Sequence, residues 1–271
     1  MKKLLLLLLC MPFIGLTQSN IKVDVIEFVD DESNIWIYTF PNQKELLQKE
    51  RNKYKDSILY EEGSSWKLYD YTLREDISKK YFNLDKILEV YVYNYKSKIL
   101  GIARFIKTVY VNDEMNGPSY YHIFKISDIT SINPSVFFTS KRLKSEKSAY
   151  FISNSLPKNN NMEIKEYNNT DLDDILILEY VRGSDEYEIS HFELLDGNHS
   201  TIYSRVTICD HDNGFSKSYI TETKNGKTNI LHTNSNCIWD AIPTKIFINN
   251  KPVFVGSSGM WEYYPAKWII E

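Results

Sequence analysis

"EYEISHFELLDGNHSTIYSRVTIC", residues 186–209, decides how this chain is built. Apolar and polar residues alternate on both sides of Asp196-Gly197-Asn198, and a period of two broken by turn formers marks a pair of antiparallel strands. Just upstream, "DILILEYV" (174–181) and the breaker "RGSD" (182–185) add a third strand to the row. In the last of the three, Ile202, Val206 and Ile208 fall to one side, and Thr201, Tyr203, Arg205 and Thr207 to the other. One face is expected in a core and the other in water, as antiparallel sheets allow.

The same period runs outward in both directions. "FSKSYITETKNGKTNILHT" (215–233) is centred on Asn225-Gly226, the strongest short hairpin signal. "TKIFINNKPVFVG" (244–256) reads as a further hairpin. Towards the N-terminus, "ILEVYVYNYKSKILGIARFIKTVYV" (87–111) gives two long strands rich in β-branched and aromatic residues. "NDEMNGP" (112–118) then turns the chain into "SYYHIFKIS" (119–127), while "SVFFT" (135–139), after Pro134, fits a strand or a helix start equally. "IKVDVIEF" (21–28) and "NIWIYTF" (34–40) are strands as well.

Helical spacing intervenes twice. In residues 41–62, Leu47, Tyr54 and Ile58, with Leu46 beside them, share a face between a capping Asn42 and a terminating Gly63. "TLRE" (72–75) is a capping box, so a second helix is predicted over 72–82 with Leu73 and Ile77 on its buried side. The predicted class is mostly β (α+β): antiparallel meander sheets forming a barrel or a sandwich, with one or two helices in the N-terminal third.

"MKKLLLLLLCMPFIGLTQSN" reads as a secretory signal. Lys2 and Lys3 precede an apolar run, Leu4 to Leu16, too short for the roughly 20 residues a membrane span needs, and small residues at Gly15 and Thr17 mark cleavage before Gln18. Cys10, preceded by Leu9 and only six leucines, lacks the setting for lipidation. The expected organisation is a signal over 1–17, an N-terminal α+β region over 18–152, a polar linker at 153–161 ("SNSLPKNNN") and a C-terminal antiparallel β region over 162–271. The net charge of −4 becomes −6 once Lys2 and Lys3 are removed, which argues against nucleic acid as a partner. The mature chain shows no second apolar run of membrane-spanning length, so it is expected to be soluble, periplasmic or extracellular.

Export changes how the cysteines are read. Cys209 and Cys237 remain after cleavage, and two thiols in an oxidising compartment are expected to form a disulfide.

The run "CDHDNG" (209–214) holds a thiol, carboxylates and an imidazole, yet Asp, Asn and Gly between two strands are what a tight reversal needs. As a calcium loop it has Gly214 one position early and lacks the glutamate at the twelfth position. As a zinc site it would have to draw Asp210, His211 and Asp212 together with a distant ligand, although adjacent residues alternate direction. It is read as a turn, and no metal or cofactor is expected.

Other reactive patterns fail on spacing. "NGKT" (225–228) has Thr221 where a phosphate loop needs glycine, and "GSSG" (256–259) is not a nucleophile elbow. His122, His191, His199, His211 and His232 form no i, i+4 pair, although His191 and His199 fall on neighbouring strands of one hairpin. Glu179, Glu186, Glu188 and Glu193 are the carboxylates from which a catalytic pair would come.

Aromatic residues are 14% of the chain and concentrate at the C-terminus, where Trp239, Trp261, Tyr263 and Tyr264 are candidate ligand-binding residues. The expected function is therefore a non-catalytic exported protein that binds a ligand or partner, a glycan or a protein surface, through an aromatic sheet face. The alternative is a secreted, glycosidase-like hydrolase using a carboxylate pair.

Overall fold

The computed structural model describes residues 21–30, 32–42, 44–53, 71–82, 88–113, 117–127, 150–157, 161–167, 187–210, 215–259 and 264–270. The leader, "DILILEYV", "SVFFT", Tyr54, Ile58 and Gly63 lie outside these residues. Within them the chain is mostly β, with two helices, and every strand pairing is antiparallel. Beyond residue 160 the described elements are all strands.

Eight strands form the first sheet: β1 (Val23–Val25), β2 (Phe28–Val29), β3 (Asn34–Thr39), β4 (Tyr71–Leu73), β5 (Glu89–Tyr93), β6 (Ile99–Asp113), β7 (Gly117–Ser127) and β8 (Phe151–Ser153). Their order is β1-β8-β5-β6-β7-β3-β2, with β4 on the second half of β6. This is not the meander expected from consecutive hairpins, because β8 returns from far along the chain to lie between β1 and β5.

The two helices, α1 (Lys44–Lys53) and α2 (Glu75–Phe82), serve one end of this sheet. Leu47 of α1 and Ile77, Tyr81 and Phe82 of α2 are buried with Leu73 and Tyr110, while Leu46 is exposed. The backbone N–H of Asn42 donates to the Tyr81 carbonyl at 2.8 Å, tying the entry of α1 to the end of α2. The capping box at Thr72 does not form, and α2 starts three residues later. Residues 71–73 are instead a strand: Tyr71 stacks on its cross-strand partner Tyr110 at 5.8 Å and 23°, and Leu73 is buried. Strand pairing and ring packing there outweigh a cap worth about 1 kcal/mol.

The second sheet is a true meander: β9 (Glu163–Tyr167), β10 (Tyr187–Asp196), β11 (His199–Asp210), β12 (Phe215–Lys224) and β13 (Lys227–Asn234), paired in sequence order. A third holds β14 (Ile238–Ile248), β15 (Lys251–Ser258) and β16 (Tyr264–Trp268). Their tight turns follow the sequence signals. Asn225-Gly226 have φ 52° and 72°, and Asn249-Asn250 have φ 50° and 62°. Two successive positive φ values suit the twist of a two-residue hairpin, and Asn and Gly tolerate them best.

The three-stranded sheet is the middle layer. Alternation along β15 sends Phe254 into a cluster with Leu194, Tyr203, Ile220 and Trp268, and sends Val253 and Val255 into another with Val23, Tyr93 and Phe151. The apolar run "VFV" thus reads as a strand covered on both sides. Polar ties reinforce the second contact. The Lys245 N–H donates to Ser97 Oγ at 3.0 Å, Ser97 holding a turn at φ 60°, and Lys267 reaches both the Val23 carbonyl and the Asp24 carboxylate. The three-stranded sheet thus packs on both the five-stranded and the eight-stranded sheet.

One expectation is corrected outright. The polar side of β11 is not wetted: Tyr203, Arg205 and Thr207 are as buried as Val206 and Ile208 opposite. Hydroxyls on this side join the five-stranded sheet to the three-stranded one. Thr207 Oγ1 donates to the Ile238 carbonyl at 2.6 Å, and Ser218 Oγ accepts from the Ile238 N–H at 3.0 Å. A buried hydroxyl with a partner costs little, so polarity alone did not reveal which face met water.

Candidate functional site

Two of the aromatic residues singled out at the C-terminus have described backbone positions. Trp239 pairs with Ser257 and Tyr264 with Ser258, so their backbone positions fall in adjacent rows, on opposite pleats of the three-stranded sheet. Trp261 and Tyr263 lie outside the described residues.

Of the four carboxylates singled out, Glu188 and Glu193 are described, and these two do not pair. Glu188 and Glu193 are five residues apart on β10, hence on opposite faces and roughly 17 Å apart along the strand. Glu188 bonds the buried guanidinium of Arg205, and Glu193 accepts from Ser200 Oγ at 2.6 Å. They cannot flank one glycosidic bond, which needs carboxyl groups about 5–10 Å apart. Glu179 and Glu186 lie outside the described residues.

The histidines scatter as well. His191 and His199 do not face each other: their partners across the hairpin are Ser204 and Asp196. His191 Nδ1 lies 2.6 Å from Ser204 Oγ, a nucleophile–base distance, but both residues are buried and offer a substrate no approach. Residues 211–214 connect strands whose ends pair as Asp210 with Phe215, and lie outside the described residues. Among the described residues, no three His, Cys, Asp or Glu side chains gather as a metal site.

Sequence reading passed over Glu222, the one buried carboxylate among the described residues. Lys224 Nζ and Lys251 Nζ donate to it at 2.8 and 3.1 Å, and Tyr203 Oη donates at 3.1 Å. Burial works to raise its pKa, yet the two lysines outweigh that and hold the carboxyl below its ordinary value. Burial, then the Glu222 charge, pushes the Tyr203 phenol up, so it stays a donor. The group ties β11 and β12 to β15. Because its folded pKa is depressed, its stabilisation is complete above the unfolded carboxylate pKa and is lost as pH falls through the folded one. Glu222→Gln should lower stability by about 2 kcal/mol at neutral pH and remove that acid-side loss, read by urea unfolding at pH 7 and pH 3.

The other overlooked feature is on β3 and β7. In "NIWIYTF" the period of two turns Ile35 and Ile37 into the core and gathers Trp36, Tyr38 and Phe40 on the opposite face. Trp36 is anchored, 1% exposed, with Nε1 donating to Asp30 Oδ2 at 2.9 Å. From it the rings run outward edge to face: Trp36 to Tyr121 at 5.8 Å, Tyr121 to Tyr38 at 5.6 Å, and Tyr38 to Phe40 at 4.7 Å and 84°. Tyr38 is 39% and Phe40 71% exposed. The result is an angled aromatic ledge, rooted in the core and open at its tip.

Comparison with protein-family models, curated proteins and solved structures finds no match for this chain. Among the described residues no helix is long and apolar enough to cross a membrane.

Proposed function

We propose that this is an exported, non-catalytic protein that binds a glycan at the exposed tip of the aromatic ledge on its eight-stranded sheet. The aromatic ledge carries the reading. Single exposed apolar residues are ordinary, but Tyr38 and Phe40 continue a chain of ring contacts that starts at a buried tryptophan. Rings held this way lose little entropy on binding and offer apolar faces for the C–H side of a pyranose, with a tyrosine hydroxyl for its oxygens. The separation of Glu188 from Glu193 and the burial of the Ser204–His191 pair count against the hydrolase alternative.

Two structural proposals accompany this one. The five- and three-stranded sheets form a sandwich rather than a barrel, supported by their shared core. Cys209 and Cys237 form a disulfide, consistent with export. Residues 235 and 238 both touch the same patch of β11 and β12, through Ser216 Oγ to the Ser235 carbonyl and through Thr207 and Ser218 to Ile238. Cys237 lies between them, wholly buried. Position 209 is opposite Ser216 and two residues beyond Thr207.

A glycan array probed with the mature chain tests the function. Tyr38→Ala with Phe40→Ala should weaken binding to any captured glycan at least about tenfold, the loss of two stacked rings, with the melting temperature little changed. A wild-type protein that captures no glycan, or a double variant that binds as well, refutes the reading.

A further inference from the structure

We infer that the glycan turns sharply between neighbouring sugars, joined through axial anomeric bonds, and is not a flat, equatorially linked ribbon. This rests on the glycan reading above and adds the linkage class. The angle between the two exposed rings carries it. Tyr38 and Phe40 meet at 84° with their centroids 4.7 Å apart. A sugar stacks by laying the C–H side of its ring parallel to an aromatic face. Where every bond between sugars is equatorial, as in cellulose, the chain runs straight and neighbouring rings stay close to a common plane. Such a ribbon lies flat on coplanar aromatics, so it can stack on Tyr38 or on Phe40 but not on both. An axial bond swings the next sugar out of that plane. The first sugar then lies on Phe40, the more open ring, and the second turns onto Tyr38.

The fold holds this angle in place. Tyr38 also meets Tyr121 at 5.6 Å and 64°, and Tyr121 rests on the buried Trp36. Turning Tyr38 parallel to Phe40 would break both of its edge-to-face contacts. Phe40 is held through its backbone. Thr39 before it pairs with Tyr120 on β7, and Pro41 after it restricts Phe40 to extended angles. The Asn42 N–H is then tied to the Tyr81 carbonyl of α2 at 2.8 Å. Rings fixed this way select a ligand that already has the matching bend, because the protein does not adapt to a flat one. The cross-strand row through Tyr38 continues as Tyr121 and Val109 and carries no ionic group, so shape rather than charge makes the selection.

The test presents the mature chain with oligosaccharides identical in sugar, length and charge that differ only in configuration at the anomeric carbon. The probes are maltohexaose against cellohexaose, and the corresponding α- and β-linked mannohexaoses joined through the same hydroxyl. In each pair that binds, the α-linked member should bind about tenfold tighter, the worth of the second stacked ring. Phe40→Ala should weaken both members. Tyr38→Ala should bring the α-linked member down to the level of the β-linked one, whereas Tyr38→Phe, which keeps the ring, should preserve the difference. A β-linked member that binds as tightly as its partner, or a preference that survives Tyr38→Ala, overturns the linkage class and leaves the glycan reading standing. Failure of both pairs to bind overturns it too. Capture of some other glycan on the array then keeps the glycan reading, and capture of none removes both.

Discussion

Oxidised protein carrying Cys237→Ser should be about 3–4 kcal/mol less stable than the wild type, the value expected when a cross-link closing a loop of this size is lost. For a chain of this length that corresponds to a fall in melting temperature of roughly 10 °C. The structural grounds are local. Thr207 and Ser218 grip both backbone groups of Ile238, Ser216 holds the Ser235 carbonyl, and strand alternation assigns position 209 to that same gripped face. The sheet's polar side is the inter-sheet seam, so a bridge there pins the start of β14 to β11 from inside rather than strapping a loop over the surface. Serine in a fully buried site carries a cost of its own. The deciding comparison is therefore with reductant. Reduction should bring the wild type close to the variant and leave the variant unchanged. Two thiols titrating in denatured protein recovered from the periplasm or medium would show that no bridge forms.

What the sequence made legible was local, and what it hid was the choice of neighbours. Asn225-Gly226 and Asn249-Asn250 announce their turns because the backbone angles there admit few other residues. The pairing of β12 with β13 and of β14 with β15 follows from these turns. The order of the first sheet does not, since nothing near Phe151 says that it will pair with both Tyr93 and Val25. Thr72 carried a correct local signal that a distant strand overrode. The burial of Arg205, Thr207 and Glu222 was hidden because partners of each, Glu188, Ile238 and Lys251, come from other strands.

The aromatic residues teach the same lesson through parity. "WEYYP" was singled out for density alone, and a count within a window says nothing of a face, because neighbours in any strand alternate sides. "WIYTF" is sparser, yet its period of two aligns three rings on one face. Counting alternate positions, rather than aromatics per window, would have found the ledge.

Acid should destabilise the protein well before its carboxylates titrate, and His122 should be the main cause. This residue sits on β7 against α2, its ring meeting the edges of Phe82 at 5.5 Å and Phe105 at 5.7 Å. Nδ1 shares a hydrogen bond with Thr108 Oγ1 at 3.0 Å, and Nε2 is buried with no partner among the described residues. Burial, with a smaller contribution from the charge of Lys22, pushes its pKa down to about 3. The sign follows directly. The folded protein keeps the ring neutral, while the unfolded chain takes up a proton near pH 6.5. Stability is thus complete above about pH 6.5 and falls as pH drops towards 3, by at most about 1.4 kcal/mol per unit and about 5 kcal/mol in all. His232, shifted down by partial burial, adds in the same sense, so the comparison must be between variants. His122→Phe keeps an aromatic ring between Phe82 and Phe105 but strands the Thr108 hydroxyl, a cost that does not vary with pH. Its stability curve should therefore start lower and run flatter than the wild type between pH 6.5 and 5, a window above carboxylate titration. Parallel curves across that window, or a His122 imidazole signal that titrates near pH 6.5 in the folded protein, would show that the ring is not held neutral by the core.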